Sequence, residues 1–134
     1  MDEQIKTLLS QFELNEPASE INIKKVEELL SINFPQEYYE FLLFSNGGEG
    51  VIGQSYLVLW KIEDLIELND AYGVEEFAPG LLIIGSEGGD TAYCIDVRSD
   101  IKPFVQVPFI GMDLSEVQGC SNDFKGFLSF LNKE

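Results

Sequence analysis

The sequence predicts an α+β fold: a single domain whose mainly antiparallel, twisted sheet is flanked by amino-terminal and carboxy-terminal helices. Two observations support this prediction. Apolar residues recur at helical spacing near both ends of the 134-residue chain, whereas short continuous apolar runs separated by turn residues occupy its middle. Helices at the ends with strands between them are typical of an antiparallel sheet covered by segregated helices.

Two short amphipathic helices are predicted first. The first ends at Asn15-Glu16-Pro17, because proline cannot continue a helix. The second can begin at Ser19 or Asn22, since both side chains can cap a helix, and it breaks at Phe34-Pro35. Their apolar positions are Ile5, Leu8, Leu9 and Phe12 in the first helix, and Ile23, Val26, Leu29 and Leu30 in the second.

A third helix should begin at Pro35, which suits the first helical position, and end at Asn46-Gly47. Its apolar residues are Tyr38, Phe41, Leu42 and Leu43. Asparagine and glycine tolerate the left-handed conformation that ends many helices, so Asn46 and Gly47 are explained as a helix stop. That explanation does not cover Gly48-Glu49-Gly50, which bring a carboxylate to the bend.

The centre of the chain predicts strands, and one more helix follows them near the end. A helix over Ile62, Leu65, Ile66 and Leu68 and then an acidic loop interrupt the strands. The predicted strands Leu81–Ile84 and Thr91–Ile95 form a hairpin whose tip is Ser86-Glu87-Gly88-Gly89. The predicted strands are Tyr56–Trp60, Leu81–Ile84, Thr91–Ile95 and Phe104–Val107, and the last helix covers about Ser121–Leu131, with Phe124, Phe127, Leu128 and Leu131 inward.

The charge of the chain is strongly negative, at −16, from 24 acidic and 8 basic residues. Nucleic acids and anionic membranes are polyanions, so neither is an expected partner, and a basic protein is the electrostatic complement. Residues 62–97 contain no Lys or Arg, and we call them the acidic segment. Its acids are Glu63, Asp64, Glu67, Asp70, Glu75, Glu76, Glu87, Asp90 and Asp96.

The chain has no histidine, which removes the usual general base and every mechanism that pairs histidine with serine or cysteine. Cys94 lies in a strand-like run and Cys120 in a predicted turn, without the spacing of a metal or redox pair, so two free thiols are expected. The amino terminus lacks the features of a signal peptide, and no apolar run approaches a membrane span. We therefore expect a cytoplasmic protein.

The order of these features resembles the SUKH superfamily, which includes fungal Smi/Knr-like cell-wall-synthesis regulators and bacterial toxin-immunity proteins. The resemblance covers roughly Ser19–Leu131, with Phe34 standing where the family usually has leucine, and leaves the first 16 residues outside it. It implies one domain over residues 1–134. The residues that carry it, and that it implies to be structural, are Pro35, Tyr38, Asn46, Gly47, Gly48, Trp60, Gly85, Gly88, Gly89, Tyr93, Pro108 and Gly111.

The resemblance further implies a protein that binds other proteins and needs no cofactor or metal. An immunity protein would neutralise a cognate toxin, such as a nuclease, and a nuclease uses basic groups that carboxylates can cover. The predicted contact residues are the acids of the acidic segment together with Glu49. The alternative is a regulatory or scaffold protein that binds endogenous partners, as the cell-wall regulators do.

Two other interpretations compete for Glu49, Glu87 and Asp90. Paired carboxylates can hydrolyse glycosides, but acids on glycine-rich tips are expected to be mobile and solvated, with nothing to separate their pKa values. Oxygen-rich loops can bind calcium, but the alternating acid spacing of an EF-hand is missing. Trp60 and Tyr93 are predicted to lie in the core, with a role as binding anchors as the alternative, while Asp96 can cap a turn or contact a partner.

Overall fold

A computed structural model, which describes residues 1–133, confirms the predicted α+β fold. Within those residues, seven strands form one antiparallel sheet in which each strand pairs with the next along the chain. The strands are β1 (Phe12–Leu14), β2 (Gly48–Ile52), β3 (Ser55–Leu59), β4 (Leu81–Ser86), β5 (Thr91–Asp96), β6 (Phe104–Pro108) and β7 (Gln118–Ser121).

In the described part of the chain, six α-helices accompany the sheet: α1 (Glu3–Leu8), α2 (Glu20–Leu30), α3 (Gln36–Phe44), α4 (Leu65–Ala71), α5 (Val74–Phe77) and α6 (Phe124–Asn132). Side-chain oxygens cap three of them. Asp2 accepts from the backbone N–H of Gln4 in α1, Ser19 caps α2, and Asp123 caps α6. These caps satisfy N–H groups that have no partner inside the helix.

The main core lies between one face of the sheet and α1, α2, α3 and α6. Leu57 and Leu59 of β3 and Ile95 of β5 contribute from the sheet, and aromatic rings fill the space beneath the helices. Phe104 of β6 packs against both Phe124 and Phe127 of α6, with ring centroids 5.7 and 5.5 Å apart. Burial of this apolar surface is the main source of stability.

A second, smaller core covers the other face of the sheet over β4, β5 and β6 only. The short helix α5 supplies Val74, and Ala78 follows directly after that helix. Met112 comes from the segment that follows β6. Because β4 and β5 are covered on both faces, their residues are almost all buried. Strands β1, β2 and β3 supply no residue to this core, so their side of that face stays open.

The first predicted helix is shorter than expected, because Phe12 does not belong to it. Helix α1 ends at Leu8, and Phe12 begins strand β1, where it pairs with Gly50 of β2. The predicted bend Gly48-Glu49-Gly50 is likewise the start of β2. Both errors have one cause: β1 lies so close to β2 that a Cβ on Gly48 or Gly50 would come within 2.7 Å of backbone atoms of β1. A tertiary contact, not local propensity, sets this structure.

Three smaller predictions were also wrong. The acidic loop contains the end of α4 and the four-residue helix α5. Cys120 lies in strand β7, which pairs with β6, and not in a turn. Leu29 was predicted to face inward, yet it is 64% exposed, because the buried stripe of α2 runs through Ile23 and Val26.

Candidate functional site

Three aromatic side chains from distant parts of the chain form a stack at the protein surface, which we call the aromatic stack. The rings of Trp60 and Tyr72 are stacked, with centroids 6.0 Å apart and planes 12° apart. Phe109 packs against Tyr72 at 4.5 Å. Tyr72 is 45% exposed, and the other two rings are partly buried. Exposed aromatic groups held rigidly by neighbours are typical binding anchors.

Each ring of the aromatic stack is connected to acidic residues, Trp60 and Tyr72 along the chain and Phe109 through a backbone hydrogen bond. Trp60 leads through Lys61 into a short 3₁₀ helix, Ile62–Asp64, and Tyr72 follows directly after α4. The N–H of Phe109 donates to the backbone oxygen of Asp90. Among the predicted contact residues, the acids that lie exposed on these segments are Glu63, Glu67, Asp70, Glu75, Glu76 and Asp90.

The acidic segment keeps its charge almost uncompensated. Within residues 1–133 there are four ion pairs, and only the Arg98–Asp96 pair involves an acid of this segment. Asp96 is mostly buried, and Arg98 Nη2 lies 2.8 Å from its Oδ2. The Asp96 carboxylate also accepts the N–H of Arg98, so it caps the turn after β5. Its charge is therefore balanced within the protein.

The hydrogen bonds from Arg98 to Asp96 hold the pKa of this carboxyl below its ordinary value. Partial burial acts in the opposite direction but is outweighed. The Arg98 guanidinium binds through two of its nitrogens, which gives the pair a fixed geometry. This arrangement makes Asp96 a structural residue of the β5–β6 turn.

Glu49 lies on the open face of the sheet rather than on a mobile tip. Because Leu57 and Leu59 of β3 point into the main core, Tyr56 and Val58 point to the opposite face. Glu49 of β2 lies opposite Val58, and Tyr56 Oη donates to Glu49 Oε2 at 2.6 Å. This hydrogen bond raises the pKa of the Tyr56 hydroxyl and fixes the position of the exposed carboxylate.

Glu87 closes the turn of the β4–β5 hairpin. Its Oε1 accepts hydrogen bonds from the N–H groups of Gly89 and Thr91, each at 2.9 Å, so the carboxylate is anchored and not mobile as predicted. Burial is the largest single influence and would raise the pKa of Glu87, but these two hydrogen bonds, with others from the Thr91 side chain and the Glu87 backbone, together lower it. Tyr56 packs beside Gly88, which brings the two glycine-rich stretches together.

Glu87 also lines a cavity of about 310 Å³ together with Ser55, Tyr93 and Gln106. Among residues 1–133, no second Asp or Glu lines this cavity. Paired-carboxylate hydrolysis needs two acids and a raised pKa on one of them. Glu87 has no such partner among the described residues of the cavity, and its pKa is lowered rather than raised.

Gly47 of the first motif and Gly85 of the second are explained by close backbone approach. A Cβ on Gly47, whose φ is +74°, would collide with the carbonyl oxygen of Leu59, and a Cβ on Gly85 would collide with that of Val58. The neighbouring Asn46 joins two segments: its Oδ1 accepts the N–H of Ile62 at 2.8 Å. These residues therefore hold β3 and its flanking segments in place.

The remaining predicted structural residues also have defined places. Pro35 caps α3, Tyr38 and Tyr93 are buried in the main core, Pro108 ends β6, and Gly111 has a φ of +73°. Trp60 differs from its predicted core position, because it is only partly buried and contacts both cores. Neither Cys94 nor Cys120 forms a disulfide, as predicted.

In the described part of the chain, no group of three or more His, Cys, Asp or Glu side chains is arranged to hold a metal ion. The same residues contain no helix with the length and apolar character needed to cross a bilayer.

Comparison with known families matches residues 17–129 to the SMI1 / KNR4 family (SUKH-1). The chain belongs to this family. It is also 39% identical over 87 residues to the uncharacterized protein YnaB of Bacillus subtilis (strain 168). That alignment covers 65% of this chain and 56% of YnaB, so the chain spans little more than half of its relative's length.

The SUKH-1 assignment confirms the sequence resemblance and places the aromatic stack inside the matched region. Tyr72 and Phe109 were not predicted as candidate contact residues. Their signals in the sequence are slight: Tyr72 follows an acidic helix directly before Gly73, and Phe109 begins an apolar pair, Phe109-Ile110, after Pro108. Ile110 is 86% exposed.

Proposed function

We propose that this SUKH-1 protein is an immunity protein that binds a cognate bacterial toxin directly, with the aromatic stack and the surrounding acidic segment at the interface. The observation that carries the proposal is the combination of Trp60, Tyr72 and Phe109 in one stack at the surface with the adjoining acidic segment, residues 62–97, which contains no Lys or Arg. Aromatic anchors supply affinity, and unpaired carboxylates supply attraction for a basic partner.

The charge supports a toxin that handles nucleic acid. A nuclease needs basic groups to hold phosphates, and a surface of fixed carboxylates competes for the same groups. Electrostatic steering can raise association rates to about 10⁸–10⁹ M⁻¹s⁻¹ at low salt. Rapid capture suits an inhibitor that must act before a toxin reaches its substrate.

Binding without catalysis agrees with the arrangement of the acids. Glu87 has a cavity beside it, and its lowered pKa keeps it charged, which favours recognition of a cation over general acid chemistry. We therefore propose that the acids act through their charge.

Coexpression tests the proposal. Each toxin encoded beside the gene for this protein is expressed with and without it, and both growth and complex formation are measured. We expect rescue by the intact chain and a stable complex with one toxin. Absence of both with every neighbouring toxin would reject the proposal, and recovery of resident partners from cells that contain no toxin would favour a regulatory scaffold instead.

A further inference from the structure

A groove of about 330 Å³ lies between the end of α2, helices α4 and α5, and strand β4. Most of its lining side chains are aliphatic, and two acidic residues, Asp70 and Glu75, also line it. The volume is at the lower end of the ~300–1,000 Å³ range of ligand pockets, which suits one or two inserted side chains. The aliphatic wall residues include Leu30, Ile32, Ile66, Val74, Leu82 and Val97.

The floor of the groove is rigid. Asn69 of α4 donates to the backbone oxygens of Leu65 and Ile83 and accepts the N–H of Ile83, with all three distances between 2.8 and 2.9 Å. The side chain is buried, and both of its polar atoms are used. It therefore fixes α4 on β4 and keeps the groove open without offering a polar contact of its own.

The two carboxylates of the groove have no cation beside them. Asp70 and Glu75 are exposed, take part in no ion pair within residues 1–133, and no Lys or Arg lines the groove. Arg98 packs beside Gly80 at the groove, but its charge is taken by Asp96. Because both carboxylates are exposed, an occupant without positive charge gains no attraction from them, whereas a basic occupant does.

We propose that this groove is a docking site for a partner segment that carries a lysine or arginine next to an aliphatic residue. The long stem of a basic side chain matches the aliphatic wall, and its charged end reaches Asp70 and Glu75 at the rim. A partner peptide with acidic or only apolar side chains could pack on the aliphatic wall, but it could not pair with Asp70 and Glu75.

The groove is distinct from the aromatic stack. Ile66 and Asp70, four residues apart on α4, share the face that lines it, whereas Tyr72 comes two residues later, about 200° around the helix axis. A partner that covers one face of α4 therefore need not cover the other. The docking proposal extends the proposed function by naming the chemistry of a second contact.

Short synthetic peptides test the groove without any toxin. The probe is a blocked hexapeptide of alternating leucine and lysine, with two controls in which glutamate replaces lysine or serine replaces leucine. Methyl NMR signals of Leu30, Ile66 and Val74 report binding, and those of exposed Ile21 and Ile110 serve as internal controls. We expect saturable shifts at the groove methyls with the leucine–lysine peptide alone.

Matched variants test the two carboxylates. The double variant Asp70→Asn and Glu75→Gln should weaken peptide binding at least about fivefold at low salt. The double variant Glu67→Gln and Glu76→Gln removes the same charge from the same two helices outside the groove, and should change binding less than about twofold.

The proposal is overturned if the peptide does not shift the groove methyls, if the serine–lysine peptide binds equally well, or if both double variants weaken binding equally. The outcome is separable from that of the proposed function. Peptide binding without toxin rescue would reject only the immunity role, and rescue without peptide binding would reject only the groove.

Discussion

Asn46 and Glu63, 17 positions apart, are joined side chain to side chain: Asn46 Nδ2 donates to Glu63 Oε1 at 2.6 Å. The oxygen of the same Asn46 amide accepts the N–H of Ile62. One side chain therefore connects the segment after α3 to the start of the 3₁₀ helix. The hydrogen bond from Asn46 is the main cause that lowers the pKa of Glu63.

Replacing Asn46 by alanine should therefore raise the pKa of Glu63 toward its ordinary value and reduce the free energy of unfolding by about 1–2 kcal/mol, since the Ile62 N–H loses its acceptor. With its lowered pKa, Glu63 stabilises the native state above its ordinary pKa, and this contribution fades as the pH falls through the lowered value. NMR titration and urea unfolding measure both effects. An unchanged Glu63 pKa would contradict the prediction, and the exposed Asn122→Ala is the control.

The ion pair of Asp96 and Arg98 predicts a pH-dependent stability. Because the pKa of Asp96 is lowered in the native state, the pair stabilises the protein above the ordinary carboxyl pKa and loses its effect as the pH falls through the lowered value. Arg98→Gln should cost about 1 kcal/mol near pH 7, a modest value because Arg98 is partly exposed. Urea unfolding at neutral and acidic pH tests this: the two proteins should converge in acid, and a pH-independent difference would refute the assignment.

Charge reversal in the acidic segment tests steering. Glu75→Lys with Glu76→Lys should slow association with a basic toxin about tenfold at low salt, because the attractive field weakens. Stopped-flow kinetics at several salt concentrations measures the rate, and the difference should shrink as salt rises. Glu16→Lys with Glu28→Lys changes the same charge at exposed positions elsewhere, and equal slowing by both pairs would assign the effect to net charge alone.

Removing the middle ring of the aromatic stack tests the anchor. Tyr72→Ala should weaken toxin binding by about 2 kcal/mol, roughly 30-fold, mainly through faster dissociation. Ile21→Ala, at an 80% exposed position on α2, should have no effect. Calorimetry gives the affinity, and a thermal melt confirms that the variant is folded. Wild-type affinity in a folded Tyr72→Ala protein would remove the stack from the proposed interface.

The two glycines Gly85 and Gly89 should respond very differently to alanine. A Cβ at Gly85 collides with the backbone oxygen of Val58, which no rotamer change relieves, so Gly85→Ala should cost more than about 3 kcal/mol or prevent folding. At Gly89 the nearest atom is 3.5 Å away, on the Glu87 side chain, so Gly89→Ala should cost less than about 1 kcal/mol. Comparable losses in urea unfolding would show that Gly85 is not sterically constrained.

Residue patterns predict an element best when its own side chains decide it. Strands β4, β5 and β6 could be predicted because runs such as Leu81–Ile84 are apolar throughout and lie between two cores. Strand β2 could not, because Gly48-Glu49-Gly50 has little strand propensity and becomes a strand only through its neighbours. Helix α5 has four residues, too few for a periodic signal.

Of the features of the candidate site, some could be predicted from the sequence and others could not. The acidic segment is visible in the sequence because it is a property of consecutive residues. The aromatic stack is not, since Trp60, Tyr72 and Phe109 meet only when three separate loops and helix ends come together. The groove is likewise invisible, because its walls come from α2, α4, α5 and β4.

The family match begins at residue 17, but the folded unit begins earlier. Ile5, Leu9 and Phe12 are buried in the main core, α1 packs on α6, and β1 covers the outer edge of β2. A chain trimmed to the matched residues 17–129 would leave the edge of β2 without its hydrogen-bonding partner and uncover a stripe of apolar surface. Exposed strand edges pair readily with other chains, and the three-residue β1 leaves a shorter edge at this side of the sheet than the five-residue β2 would.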